Sequence, residues 1–518
     1  MKASLEEKLK KVHQILEDVK KHRYEWEWHM HHKAMCSDSG VLAALGVLPK
    51  KWATTSQRQI GLTPYTLKLL LDLKSKDYKA FRAQQLQTFF APTEKPIQKW
   101  SWARKPALRQ EKSGFWHWFR KLLPQFLQIF FFGRGAETTT SALENMYECT
   151  DVIIATAACA RNCSFCFRGV GDPEGEAAVI TGDMKTVLGA VQKAIERKTP
   201  HVLITGGDPL TRTNEQLEMI LRPLAESPSV EVLRIGTRMV IDLPMRFDGT
   251  TLMLLMSLGT TMHKRGANLR LMVHINHLSE LTPEVMQVLN DLRHMGIQVW
   301  SQTVVLKGVN DNIEGLRTLF LMLDRLGVIV YKLYHTMPVE GTDHLRVPIR
   351  RFRKLLAGLH QWIPSTAVPH GHVVTLNGKQ PISPAGRWSI PIPFTSHWLM
   401  RNWLGHWYLF KDAWDPVRLA REAAILISMM ALVVTIGVEA PEYEINPRPP
   451  AGEKINTSIM PGVKIDPSKI KKVTTFFDEL RDQGEYADSM FRYYHAPFVA
   501  GDTLYIPIQM KDSAAFRH

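Results

Sequence analysis

The chain has 518 residues, 45% of them hydrophobic and 22% charged, a composition that excludes a disordered or collagen-like protein and allows two or three folded units. Only five cysteines are present, which excludes a disulfide framework and points to a reducing compartment with a metal or catalytic use for the thiols. The net charge is +15, and residues 1–140 hold 25 Lys or Arg against 12 Asp or Glu.

The first residues, MKASLEEKLKKVHQILEDVKKH, break every apolar run with charge and so do not read as a signal peptide. Leu5, Leu9, Val12, Leu16 and Val19 recur at helical spacing, and Ser4 with Glu7 has the pattern of a capping box. A surface helix is expected there. Residues 99–135 mix basic side chains with Trp and Phe. That mixture suits a membrane surface, a carrier protein or a nucleic acid. No nucleic-acid-binding motif accompanies it, so a folded lid with solvated charges is the preferred reading.

From residue 150 a rhythm sets in. Strand-length apolar runs fall at 151–157, 201–205, 231–236, 269–275, 297–306 and 328–335, with helix-like segments such as 183–198 and 282–296 between them. Strands alternating with helices predict an α/β fold with a parallel sheet. Six strands suit either an open doubly wound sheet or a partial barrel, and both place chemistry at the C-terminal strand ends. Three domains are expected: a helical region with the basic aromatic segment at 1–147, the α/β domain at 148–385 and a C-terminal domain at 386–518. The apolar run 423–438 has 16 residues, short of the about 20 that a membrane-spanning helix needs. A buried helix or strand and a cytoplasmic protein are expected.

Cys159, Cys163 and Cys166 follow the first strand directly. A closed zinc site takes four protein ligands. A fourth from Cys149, His29, His31 or His32 has no support from spacing. An iron–sulfur cube also takes four ligands, so three thiolates leave one iron open to a small chelating molecule.

This C-x3-C-x2-C pattern resembles the radical S-adenosylmethionine (SAM) enzymes. The ordered motifs LITGGDPL (203–210), VEVLRIGTR (230–238), HINHLSELT (274–282), SQTVVLKGVND (301–311) and GKQP (378–381), with YEWEW (24–28) upstream, resemble the lysine 2,3-aminomutase family. The resemblance implies a partial (β/α)6 radical-SAM barrel with a helical N-terminal region and a divergent α+β C-terminal extension. It implies a [4Fe–4S] cluster on Cys159, Cys163 and Cys166, SAM against Gly206, Gly207, Asp208, His274 and Gln302, and an arginine, Arg168, gripping a substrate carboxylate. Lys379 matches the family's Schiff-base lysine for pyridoxal phosphate (PLP). The partners implied are a small amino acid substrate and an electron donor such as flavodoxin or ferredoxin.

The chain also departs from that family. Where its members carry two arginines for the PLP phosphate, residues 145–151 read NMYECTD, and the sequence offers Arg134, Arg120 and Lys121 as substitutes. The two acids that hold the lysine ammonium align with Met337 and Thr375, which implies a substrate other than lysine. The zinc-ligating cysteine after GVND is Asn312. A 2,3-amino shift is therefore the leading expectation. A PLP-independent radical SAM reaction (epimerisation, dehydrogenation or peptide modification) and a non-catalytic iron–sulfur protein at a membrane or nucleic acid are the alternatives.

Overall fold

A computed structural model describes residues 4–53, 60–89, 142–147, 149–166, 168, 183–337, 342–375, 378–382, 389–401 and 407–437, with short strands at 470–472, 498–500 and 503–506. The basic aromatic segment 99–135, with Arg120, Lys121 and Arg134, lies outside them. Contacts divide the chain into two units, 1–430 and 431–518.

The first unit opens with helices α1 (Leu5–Asp18), α2 (Trp26–His31), α3 (Lys33–Cys36), α4 (Ser39–Ala44), α5 (Lys50–Ala53), α6 (Pro64–Lys76) and α7 (Tyr78–Thr88). The expected capping box is present: the Glu7 amide donates to the Ser4 hydroxyl at 3.2 Å, and the Ser4 amide donates to Glu7 at 3.0 Å. Val12 and Ile15 of α1 enter a small core with Val41, Leu42, Leu67 and Leu70.

A nine-stranded sheet follows: β1 (Leu143–Tyr147), β2 (Thr150–Thr156), β3 (His201–Gly206), β4 (Val232–Thr237), β5 (Asn268–His274), β6 (Gln298–Val305), β7 (Ile329–His335), β8 (His370–Thr375) and β9 (Gly378–Pro381). The strands lie in sequence order, β2 to β8 parallel, with β1 and β9 antiparallel at the edges. A doubly wound sheet reverses its strand order partway, whereas each strand here is added beside the last, as in a barrel. The topology is that of a partial barrel. All six expected strands form. β1, β8 and β9 were not expected, because short runs such as HVVT lack a periodic signal.

The helices α8 (Met184–Glu196), α9 (Asn214–Glu226), α10 (Met239–Asp242), α11 (Gly249–Lys264), α12 (Pro283–His294), α13 (Ile313–Arg325) and α14 (Ile349–Trp362) fill the crossovers. Their starts are written in the sequence: Asp183, Thr213, Asp248, Thr282 and Asn312 each accept an amide of the first turn. Asn312 is thus a helix cap. The buried face of α8, Val187, Ala190, Val191 and Ala194, packs in one core with Val202 and Ile204 of β3.

A three-stranded antiparallel sheet, β10 (Ser389–Pro391), β11 (His397–Arg401) and β12 (Trp407–Lys411), follows within the first unit. The expected boundary near residue 386 is crossed by ties to α14. Asp412 accepts the Ile349 amide at 2.9 Å, and Arg350 pairs with Asp415 at 2.8 Å.

Residues 416–437 form one helix, α15 (Pro416–Gly437). Burial was expected for its apolar run, yet Ile425, Leu426 and Ile427 are 56%, 44% and 66% exposed. Among the described residues no helix is long and apolar enough to cross a membrane. In the second unit, β13 (Ile470–Lys472) pairs parallel with β15 (Thr503–Ile506), which pairs antiparallel with β14 (Phe498–Ala500).

Candidate active site at the cysteine loop

The chain leaves β2 at its C-terminal end and turns at once into the loop 157–166, which holds all three clustered cysteines. The N-terminal helices brace this loop. Ser164 donates from its amide to the Gln87 carbonyl at 2.9 Å and from its hydroxyl to the Leu86 carbonyl at 2.8 Å. The Asn162 amide donates to the Gly61 carbonyl at 3.2 Å. Arg161 is 2% exposed and donates to the Gln84 carbonyl at 3.1 Å, to Asp242 at 3.3 Å and to the Thr88 hydroxyl. Lys33 of α3 reaches the Cys159 carbonyl at 2.5 Å and Asn162 Oδ1 at 3.3 Å.

Cys163 is buried, and Cys159 and Cys166 are partly so. Burial pushes the Cys163 thiol up to about 12 and raises Cys159 as well. The three thiols act on one another electrostatically. Lys33 acts on Cys159, while Arg238 and Arg161 act on Cys163. Asp208 and Asp242 oppose these cations, so the thiols stay protonated until a metal displaces their protons. Among the described residues no three His, Cys, Asp or Glu side chains converge on a single metal-ion position. That is no obstacle to an iron–sulfur cube, where each thiolate serves a different iron. Three thiols on one loop are the donor chemistry that such a cluster takes.

The turn after β3 locks onto this loop. The Gly207 amide donates to the Thr156 carbonyl and the Asp208 amide to the Ala158 carbonyl, both at 2.7 Å. Gly206 has φ +133°, and a Cβ on either glycine would strike the backbone of residues 156–158. In this structure the close approach that glycine permits is to the chain's own cysteine loop. Gly207→Ala is expected to displace Cys159 and lower iron retention after anaerobic reconstitution at least several-fold. Wild-type iron content in that variant would refute the point.

Asp208 is buried and fully engaged. Its carboxylate accepts the Leu210, Arg238 and Met239 amides at 3.1, 2.6 and 3.1 Å and the Thr237 hydroxyl at 2.8 Å. Burial lifts it to about 6. Its visible work is to tie β3 to β4 beneath the loop.

His274 ends β5 and pairs in register with Gln302 of β6. Both are partly buried. The His274 ring meets Phe165 of the cysteine loop edge-on at 5.2 Å. Burial and then Arg238 press it down to about 3, so it is neutral. His274 therefore stands at the end of β5 against the cysteine loop, with Gln302 beside it within β6. Arg238 pairs with Glu280 and, at 3.0 Å, with Asp242. Sequence reasoning missed the bracing set of Lys33, Gln84, Arg161, Arg238, Asp242 and Glu280. Arg161, Arg238 and Glu280 lay within motifs that gave them no role, and nothing in the N-terminal helices marks Lys33 or Gln84.

Arg168 is buried, with Nη1 3.6 Å from Glu144 of β1. Lys379 starts near the head of β9, at the same sheet end as the cysteine loop. Its amine donates to the Tyr334 hydroxyl at 3.1 Å and lies 5.2 Å from that ring's centre. Burial, outweighing Tyr331 and reinforced by Arg234, lowers it to about 8. A lysine so depressed is a better nucleophile than an exposed one.

Residues 153–320 match the model of the radical SAM superfamily. Around that segment the chain is similar to the radical SAM superfamily and, over 45–48% of its length, to proteins named as L-lysine 2,3-aminomutases. A relative from Aquifex aeolicus, provisionally named L-lysine 2,3-aminomutase, is 32% identical over 239 residues, 45% of this chain and 61% of its own. The L-lysine 2,3-aminomutase of Fusobacterium nucleatum is 29% identical over 255 residues, 48% of this chain and 56% of its own. The glutamate 2,3-aminomutase of Clostridioides difficile is 27% identical over 301 residues, 56% of this chain and 67% of its own. The chain thus spans about three fifths of the length of the first of these curated relatives. Among solved structures, a radical SAM methyltransferase from Sphaerobacter thermophilus covers 52% of this chain and 86% of its own at 16% identity, with a TM-score of 0.30. The superfamily implies SAM and an iron–sulfur cluster as cofactors.

Proposed function

We propose that the chain catalyses a 2,3-amino shift on an α-amino acid other than lysine, with a [4Fe–4S] cluster on Cys159, Cys163 and Cys166, SAM at the open iron and PLP at Lys379. When bound, the cluster and SAM supply a carbon radical that removes a substrate hydrogen, and PLP supplies an aldehyde and π-system for the migrating amine. The observation that carries this reading is Lys379, a depressed amine inside the barrel at the sheet end that also bears the cysteine loop. The chain's own part is to hold these groups together away from water. Phe165, Leu306 and Val309 form an apolar cluster around Cys163, which keeps solvent from the thiol loop. Arg168 offers a planar fork to a substrate carboxylate. The alignment of Met337 and Thr375 with the lysine-binding acids supports a side chain that is not cationic.

A PLP-free radical reaction is the second reading, favoured by the absence of arginine at 145–151. Anaerobic reconstitution with dithionite and SAM, followed by assay for 5′-deoxyadenosine, tests the radical step. Retention of a PLP absorbance band after desalting, lost in Lys379→Ala, is expected for the aminomutase. No band in the wild type would favour the second reading. Turnover of free lysine as fast as any other amino acid would defeat the substrate assignment.

A further inference from the structure

The inner face of the barrel sheet is basic from one end to the other. Strand register sets Leu203, Arg234, Arg270 and Gln298 in one row and His274, Gln302 and Lys332 in a row nearer the cysteine loop. Paired residues on neighbouring strands project to one face, here the face opposite Leu233, Ile235, Leu271 and Val273, which pack in the main core. Lys379 joins these cations from β9. Aromatic rings lie among them: Lys332 is 4.7 Å from the centre of the Tyr331 ring, Arg270 is 4.6 Å from that of Trp300, and Lys379 is 5.2 Å from that of Tyr334.

Around Arg234 and Lys379 no acid among the described residues offsets the charge. Among the described residues, the groups that act on Arg234 are Tyr331, Arg270, Tyr334 and Cys149, and those on Lys379 are Tyr331 and Arg234. No carboxylate is among them. The Arg234 Nε is also buried without a hydrogen-bond partner. Withdrawing cations from water without an anion is costly, and a ligand that brings the anion removes that cost. We propose that Arg234, Lys332 and Lys379 form a site in the barrel interior for an oxyanion of the ligand, a phosphate or a carboxylate. The proposal rests on the reading of the barrel interior as the reaction chamber. It supplies what residues 145–151 lack if the oxyanion is the PLP phosphate. If it is a carboxylate of the substrate's side chain, it makes the substrate an acidic amino acid, in keeping with Met337 and Thr375.

Isothermal titration calorimetry on the full chain, without cluster or SAM, provides the test, so that its outcome is independent of radical chemistry. Inorganic phosphate is the first probe. Wild type is expected to bind it, with affinity about tenfold weaker in Lys332→Gln and in Arg234→Gln. Lys332→Arg should retain binding, as should Arg317→Gln, which removes a charge from the exposed face of α13. PLP against pyridoxal, and glutamate against glutamine, then separate the two sources. A preference for PLP that vanishes in Lys332→Gln assigns the phosphate, and a preference for glutamate that vanishes assigns the acidic side chain. Circular dichroism checks that each variant is folded, and Lys332→Met or Arg234→Met replaces a glutamine variant that is not. A wild-type chain that binds no phosphate, or neutral variants that bind it equally well, overturns the proposal. Formation of 5′-deoxyadenosine by that same chain would leave the radical SAM reading standing.

Discussion

Acidification from pH 6 to pH 4 is expected to remove on the order of 5 kcal/mol of folding stability. Four histidines are held neutral in the fold. Burial, assisted in turn by Arg238, Arg346 and Lys332, lowers His274 and His335 to about 3 and His372 to about 4, and burial lowers His29 to about 4. Below about pH 6.5 the unfolded chain protonates these imidazoles and the folded chain does not, so each costs up to about 1.4 kcal/mol per pH unit. Asp208 and Asp412 oppose them. Burial raises both to about 6, so between pH 6 and 4 the folded chain takes up protons that the unfolded chain does not. Four histidines against two carboxyls leaves about two protons, or roughly 3 kcal/mol per pH unit. The loss is comparable with the whole stability of an ordinary domain, about 5–15 kcal/mol. Urea unfolding followed by circular dichroism at pH 7, 5.5 and 4.5 measures it, and a midpoint that does not fall would refute the buried neutral histidines.

Arg161→Leu is expected to cost about 3–5 kcal/mol, because it removes one partner from a buried charge network. Asp242 keeps Arg238 at 3.0 Å, but the Gln84 carbonyl and the Thr88 hydroxyl lose the donor that joins α7 to the cysteine loop. Unsatisfied buried acceptors add to the loss. Arg161→Lys keeps the charge without the planar fork and should recover only part of it. Two readouts belong together here: the urea midpoint, and iron per chain after reconstitution. A variant within 1 kcal/mol of wild type, with full iron, would show that the N-terminal helices do not hold the loop.

The repeating part of the fold was legible because its elements carry local signals. Thr282 before Pro283, with Val285, Val288, Leu289 and Leu292 behind, is a helix start and an apolar stripe that any tertiary context would use. The strands from β2 to β7 were legible as apolar runs of the right length. β8 and β9 were not, since HVVT and GKQP are too short and too mixed to show a period. The run 423–438 read equally as a buried helix or strand, and the exposure of Ile425, Leu426 and Ile427 was not legible, because burial depends on what packs against a face. In the site, the cysteines announced themselves by spacing, and the residues that hold their loop did not. Lys33, Gln84 and Gln87 sit in ordinary helical sequence, and 126 residues separate Lys33 from the Cys159 carbonyl it meets.

Asp208 illustrates the same division. The motif marks it, yet its four donors come from Leu210 nearby and from Thr237, Arg238 and Met239, where β4 ends and α10 begins. Residue types, their order along the chain and the periods of its helices and strands were enough to show the resemblance to radical SAM enzymes and to foresee the six central strands. Long-range packing alone decided that the N-terminal helices clamp the thiol loop and that like charges gather inside the barrel. Caps, stripes and metal-binding spacings act between neighbours in sequence, whereas bracing and electrostatics act between neighbours in space.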